Sequence, residues 1–148
     1  MSIARLNPYT AAPKAVKAML ALTEAAEHCG LEKSLIELVK IRSSQINGCA
    51  YCIHMHCSDA RKLGETEMRI YLLPAWRESS LYSGRERAAL AWTEALTRLA
   101  DTGAPDADYD ELARHFSEEE RVNLTLVINM INGWNRIAVG FRSVHPKD

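Results

Sequence analysis

The sequence has no excess of either charge: 18 Lys and Arg stand against 19 Asp and Glu among 148 residues, a formal net charge of −1 at pH 7. That balance excludes a nucleic-acid binder working through bulk positive charge and a polybasic membrane anchor. Long hydrophobic runs are missing too. The longest uncharged stretch, Val122 to Asn135, contains several Asn, whereas spanning a bilayer takes about 20 mostly apolar residues. Residues 1–10 lack the charged-then-apolar layout of a signal peptide. With neither signal nor span, a cytoplasmic protein is expected. Gly and Pro are few, 7 and 5, and scattered; no linker, repeat or low-complexity tract is visible. Strand-like alternation is absent. The apolar share of 47% excludes a disordered chain, and the length predicts a single domain over 1–148.

What is present is helical periodicity. The spacing predicts a helix from about Lys14 to His28, stopped by Gly30, and a second from about Leu31 to Ile46 with Leu31, Leu35, Leu38, Val39 and Ile46 on one face. Asn47-Gly48 breaks the chain. A third helix opens at about Cys49 and ends before Gly64, and a short fourth covers Thr66 to Leu73, closed by Pro74. Ser83 and Glu86 have capping-box spacing and open a fifth helix reaching Leu99; a sixth spans Asp106 to His115. Ser117 and Glu120 repeat the box and open a seventh, to about Val139. Its apolar residues, Val122, Leu124, Leu126, Val127, Ile128, Met130 and Ile131, lie nearly all round, which predicts a central, buried helix. The class is all-α, a single-domain bundle of six or seven helices. On that buried helix Asn132 and Asn135 need partners, and hydrogen bonds across a subunit interface are one solution.

The chemistry concentrates in Cys49-Ala50-Tyr51-Cys52-Ile53-His54-Met55-His56. On a helix, Cys49, Cys52 and His56 fall within about 60° of arc. Ala60 and Leu63 continue that face inward, whereas His54 and Cys57 point elsewhere. A thiolate, the reactive form of cysteine, is favoured at a helix N-terminus and beside a histidine. The helix end contributes about 0.3–1 kcal/mol, less than one pKa unit at about 1.36 kcal/mol. A proton acceptor such as His56 must supply the rest. The i, i+3 spacing also lets the two sulfurs cycle between dithiol and disulfide. Glu37, on the preceding helix at the border of its apolar face, is read alone a surface glutamate near Lys40. A tight Asn-Gly turn would bring it back over the Cys/His face, where its carboxylate could accept a proton or hold His56 in one tautomer.

The residues alone leave three readings open: a redox pair, two inert buried thiols, and Cys2His ligation of zinc with an open fourth position. Against zinc, no second ligand pair occurs at suitable spacing; Cys29 adjoins His28 without one. In a reducing compartment a close Cys pair points to catalysis or metal more than to a structural disulfide. His54, His115 and His145 read as surface or capping histidines, Cys29 and Cys57 as structural. Trp76, Trp92 and Trp134 read as core or subunit contact.

Glu37, Cys49, Cys52 and His56 at these spacings, with Arg42 to Gly48 leading in, Gly84 to Ala95 and Asn132 to Arg136, resemble the alkylhydroperoxidase D (AhpD) core of the carboxymuconolactone decarboxylase family over most of residues 8–142. The resemblance implies an all-α, oligomeric thiol peroxidase, a trimer or hexamer, that needs no redox cofactor and no metal. It implies that Cys52 attacks the hydroperoxide and becomes a sulfenic acid, that Cys49 gives a proton and then closes the disulfide, and that Glu37 and His56 relay protons. A lipoyl or thioredoxin-like dithiol protein would be the reductant. Well-known members carry histidine where this chain has Tyr51, which implies a shorter relay. Nearness to the helix N-terminus favours Cys49 as nucleophile; the i+4 relation to His56 favours Cys52, as the resemblance does. Two alternatives stand beside this one: a lactone decarboxylase or isomerase of the same superfamily, whose branch generally lacks the Cys pair, and a non-enzymatic redox sensor or zinc module using the same face.

Overall fold

The computed structural model describes residues 3–147. Among them every regular element is helical: α1 (Pro8–Ala11), α2 (Pro13–Glu27), α3 (Lys33–Asn47), α4 (Ala50–Lys62), α5 (Glu67–Leu72), α6 (Gly84–Thr97), α7 (Leu99–Thr102), α8 (Asp106–His115) and α9 (Glu118–Phe141), with a 3-10 turn at Leu73–Ala75 after α5. The all-α class holds. Two elements beyond the expected seven, α1 and α7, are single turns, too short for periodicity to register. Asn47-Gly48 ends α3 as predicted, with Gly48 in the left-handed region at φ 66°. Both capping boxes form, at Ser83 and at Ser117. Pro74 does not stop the chain abruptly; it sits inside the 3-10 turn, where its fixed φ is tolerated.

The central element is α3, which packs on α4, α6 and α9. Ten consecutive residues of it, from Leu35 to Ser44, are buried. Burial on every side follows from being covered by three helices, and it forces the polar residues of α3 to find partners inside. Arg42 donates from Nε to Glu94 Oε1 of α6 at 2.7 Å, and Trp76 Nε1 donates to the same oxygen at 2.9 Å. Arg77 completes the set. Burial pushes the Glu94 carboxyl up, but these donors outweigh it and hold it below its ordinary value.

Two expectations about α9 require correction. The helix is not buried all round: Leu124, Val127, Ile128, Met130 and Ile131 face the core, whereas Val122 and Leu126 lie on an exposed outer stripe and Val139 is exposed near the helix end. Hydropathy counts apolar residues without knowing how many neighbours a helix has, and α9 has them on one side. Nor do its asparagines reach for another subunit. Asn47 Nδ2 donates to Asn132 Oδ1 and Asn135 Oδ1, each at 2.9 Å; Asn132 Nδ2 donates to Thr97 Oγ1, and Asn135 Nδ2 to Ser44 Oγ at 3.0 Å. The network ties the end of α3 to α9 just before the cysteine motif. Leu63, expected to face inward, is instead exposed at the end of α4, while Ala60 is buried. No helix among the described residues is long and apolar enough to cross a membrane.

Replacing Asn135 with Ala should remove one hydrogen bond each from buried Ser44 and half-buried Asn47, which keep Lys40 O and Asn132 Oδ1, and cost about 1–3 kcal/mol at about 0.5–1.5 kcal/mol per bond. Urea unfolding measures it; a loss below about 0.5 kcal/mol would show that the network does not hold α3 to α9.

Candidate active site

The turn at Gly48 builds the site. Gly48 N–H donates to Gln45 O and Cys49 N–H to Ser44 O, closing the end of α3. The chain reverses, and Cys49 becomes the N-cap of α4. Its sulfur accepts the Cys52 N–H at 3.3 Å, taking the place a serine oxygen usually fills at a helix start. Cys49 and Cys52 are joined as a disulfide across this first turn, with Cα atoms 5.3 Å apart, and both are buried. The sulfur pair therefore sits at the positive end of α4.

Since α4 returns along α3, Glu37 and His56 meet. His56 Nδ1 donates to Glu37 Oε2 at 3.0 Å. The other oxygen, Oε1, accepts from Lys40 Nζ at 2.6 Å, and Lys40 also pairs with Glu27 of α2. Both members of the Glu37–His56 pair are more than nine-tenths buried. Burial pushes the Glu37 carboxyl up, but the His56 hydrogen bond and the Lys40 charge overcome it, and the group stays ionised below its ordinary range. An ionised carboxylate can only accept. His56 must then carry a proton on Nδ1, and a neutral ring leaves Nε2 as its free base.

Cys52, His56 and Lys40 line one cavity of about 490 Å3, with Glu27, Asn7 and Thr23 as further polar residues and a largely apolar remainder that includes Leu20, Met55, Met130 and Trp134. The two chain ends form part of its rim: Leu6 on one side, Val144 on the other, with Arg5 N–H donating to Phe141 O. Trp134, read from the sequence as core or subunit contact, faces this cavity and donates Nε1–H to Thr23 Oγ1 at 2.8 Å.

Glu37, Cys49, Cys52 and His56 thus lie together. Lys40 and Glu27 went unrecognised. The i+3 step from Glu37 to Lys40 is visible in the sequence but reads as a solvated pair, and only the burial of α3 makes it internal; Glu27, on a separate helix, leaves no signal. The remaining cysteines, Cys29 and Cys57, carry free thiols and are half-buried. Burial and the nearby Glu37 carboxylate push the Cys57 thiol up, so it stays protonated. His54 stacks on His145, and His115 lies beside Glu111. Among the described residues no group of three or more His, Cys, Asp or Glu is placed to hold a metal ion.

The electrostatics generate a test. Lys40→Met leaves Glu37 facing burial with one partner fewer, so its carboxyl pKa should rise. A carboxylate held low contributes stability above its unfolded pKa that is lost as pH falls through the folded value; Lys40→Met should move that acid loss to higher pH. Breaking the buried pair should cost about 3–5 kcal/mol at neutral pH, part of it recovered in Lys40→Met/Glu37→Gln. Denaturation across pH 3–8 is the measurement, and an unshifted acid limb would count against Lys40 as the brace.

Comparison with known proteins places this arrangement. Residues 13–95 match the family model described as the carboxymuconolactone decarboxylase family. The uncharacterized protein YdfG of Bacillus subtilis is 46% identical over 135 residues, 91% of this chain and 92% of its own length. The crystal structure of ATU0492 from Agrobacterium tumefaciens, a protein of unknown function provisionally described as the antioxidant defence protein AhpD, is 49% identical with a TM-score of 0.96, covering 99% of this chain and 100% of that one. The debrominase Bmp8 shares the fold at 23% identity and a TM-score of 0.84, over 93% of this chain and 74% of its own. With the family model covering more than half of its length, the chain belongs to the carboxymuconolactone decarboxylase family.

Proposed function

We propose that the protein is a thiol-dependent peroxidase that reduces hydroperoxides through the Cys49/Cys52 pair. One observation carries the reading: a disulfide-forming pair at a helix start whose inner sulfur shares a cavity with a histidine held in one tautomer by a buried carboxylate. Packing alone does not require an ionised Glu37 against His56, whereas proton transfer does.

In the reduced protein His56 Nε2 takes the Cys52 proton. The Cys52 thiolate attacks the distal peroxide oxygen, the O–O bond breaks, and the alcohol or water leaves with a proton from the protein, leaving a sulfenic acid. Cys49 Sγ then attacks the Cys52 sulfur, a disulfide forms and water departs. An external dithiol resets the pair, taking up the disulfide and returning two electrons and two protons. No redox cofactor or metal enters the cycle. Glu37 acts here as the fixed anion that holds His56 more than as a base. Tyr51 occupies the place of the family's histidine, so the relay passes from Cys52 to His56 without a second imidazole. The apolar outer stripe of α9, with Val122 and Leu126 beside Tyr109, suits assembly into a homo-oligomer, trimer or hexamer. A dithiol cycle of this kind suits a reducing compartment such as the cytoplasm.

Cys52→Ser should reduce dithiol-dependent peroxide consumption to the uncatalysed rate. Cys49→Ser should form one trappable sulfenic acid per chain without turning over. Glu37→Gln should lower kcat/KM about 10–100-fold by loosening the histidine. Lactone turnover surviving Cys52→Ser would favour the decarboxylase chemistry of the family name instead. Single oxidation of the wild type with no turnover in any dithiol would favour a sensor.

A further inference from the structure

The disulfide stands between two openings. Cys52 lines the large cavity with His56, whereas Cys49 lines a separate groove of about 280 Å3 formed by Gly48, Ala50, Val139 and Arg142. Tyr51 borders both and forms part of the wall between them. Each sulfur therefore has its own approach. Thiol–disulfide exchange proceeds by attack on one sulfur with expulsion of the other, and the better leaving group is the thiolate of lower pKa. Entry through the groove attacks Cys49 and expels Cys52, which leaves beside His56. Entry through the cavity attacks Cys52 and expels Cys49, which has only the first turn of α4 to hold its charge.

Charge favours the same side. The incoming group is a thiolate, and Arg142, exposed at the end of α9, is the one charged residue lining the groove. The cavity presents Glu27 as well as Lys40. Cys49 is only 1% exposed, beneath a groove bordered by Gly48 and Ala50.

Resting on the proposed peroxidase cycle, we infer that its dithiol reductant enters by the Arg142 groove, not by the peroxide cavity, and attacks Cys49. Its first thiolate bonds to Cys49 Sγ as the Cys49–Cys52 bond breaks, and Cys52 departs as a thiolate that accepts a proton through His56. The second thiol, deprotonated, attacks the reductant's own sulfur in the mixed disulfide, and Cys49 leaves and is protonated. Two electrons and two protons pass to the protein, and the reductant ends as its cyclic disulfide. Peroxide and reductant then never compete for one entrance.

The disulfide is formed with diamide, so that the test does not depend on peroxide, and its reduction by dithiothreitol is followed by alkylation and mass spectrometry. Val139→Trp, at an exposed position on the groove, should slow reduction at least fivefold. Arg142→Glu should slow it about threefold at low salt, less at high salt. Leu20→Trp, across the cavity, should leave it within twofold. With 2-mercaptoethanol the trapped mixed disulfide should map to Cys49. An adduct on Cys52, or a Leu20→Trp effect equal to that of Val139→Trp, would overturn the route. Circular dichroism checks the fold of Val139→Trp, and Arg142→Glu reads the route without added bulk. If peroxide never oxidises the wild type while the diamide-formed disulfide is still reduced by this route, the peroxidase reading fails and the route stands.

Discussion

Burying a carboxylate costs several kcal/mol unless cations and donors surround it, and Glu37 lies where α3 is covered by α4, α6 and α9. What keeps it ionised there is the pair of hydrogen bonds from His56 and Lys40, one to each oxygen. The tautomer of His56 follows from that charge, and in the proposed cycle the direction in which a proton leaves Cys52 follows from the tautomer. Lys40 would itself be an isolated buried cation without Glu27 and Glu37. The site is thus a chain of mutual compensations running from α2 through α3 to α4. Its two buried charges, Glu37 and Lys40, each depend on a partner, whereas Glu27 is partly exposed.

The same constraint explains how far the sequence could be read. Helix starts were legible because caps are local: Ser83, Ser117 and the Asn47-Gly48 stop act on residues within one turn. The Cys49, Cys52 and His56 stripe was legible for the same reason, since a helix converts spacing into a face. Glu37 was legible only through the resemblance, because its use depends on how α3 and α4 pack. Lys40 and Glu27 were not, and Lys40 in particular read as solvent-facing, since a lysine in sequence carries no mark of whether a carboxylate awaits it inside. Burial is a property of neighbours. The misreading of α9 has the same origin: its apolar residues serve two faces, and only one is covered within this chain.

The turn between α3 and α4 carries more than a change of direction. Gly48 at positive φ lets Cys49 N–H reach back to Ser44 O, and Asn47 reaches across to Asn132 and Asn135. The reactive turn is therefore anchored from both sides before any chemistry begins. Cys49, as the helix cap, has a sulfur whose position is set by a backbone N–H as well as by its bond to Cys52. When the disulfide opens, that N–H and the unpaired donors of the first turn remain to receive a thiolate. Reduction and oxidation can then exchange one S–S bond for hydrogen bonds already in place, with little demand on the rest of the fold.

That economy bears on how the proposed cycle gives two sulfurs three residues apart different tasks. Both lie in the first turn of α4 and share its positive end, so the helix cannot distinguish them strongly. His56 can, because the i+4 step places it over Cys52 and its partner Glu37 fixes which nitrogen is free. Tyr51 adds a spatial distinction to the electrostatic one by bordering the openings onto both sulfurs. In the proposed cycle an imidazole at that position would join the proton path, whereas the Tyr51 ring contributes a wall. In the proposed cycle the asymmetry of the pair thus rests on one histidine a turn further along α4 and one aromatic ring between the two approaches.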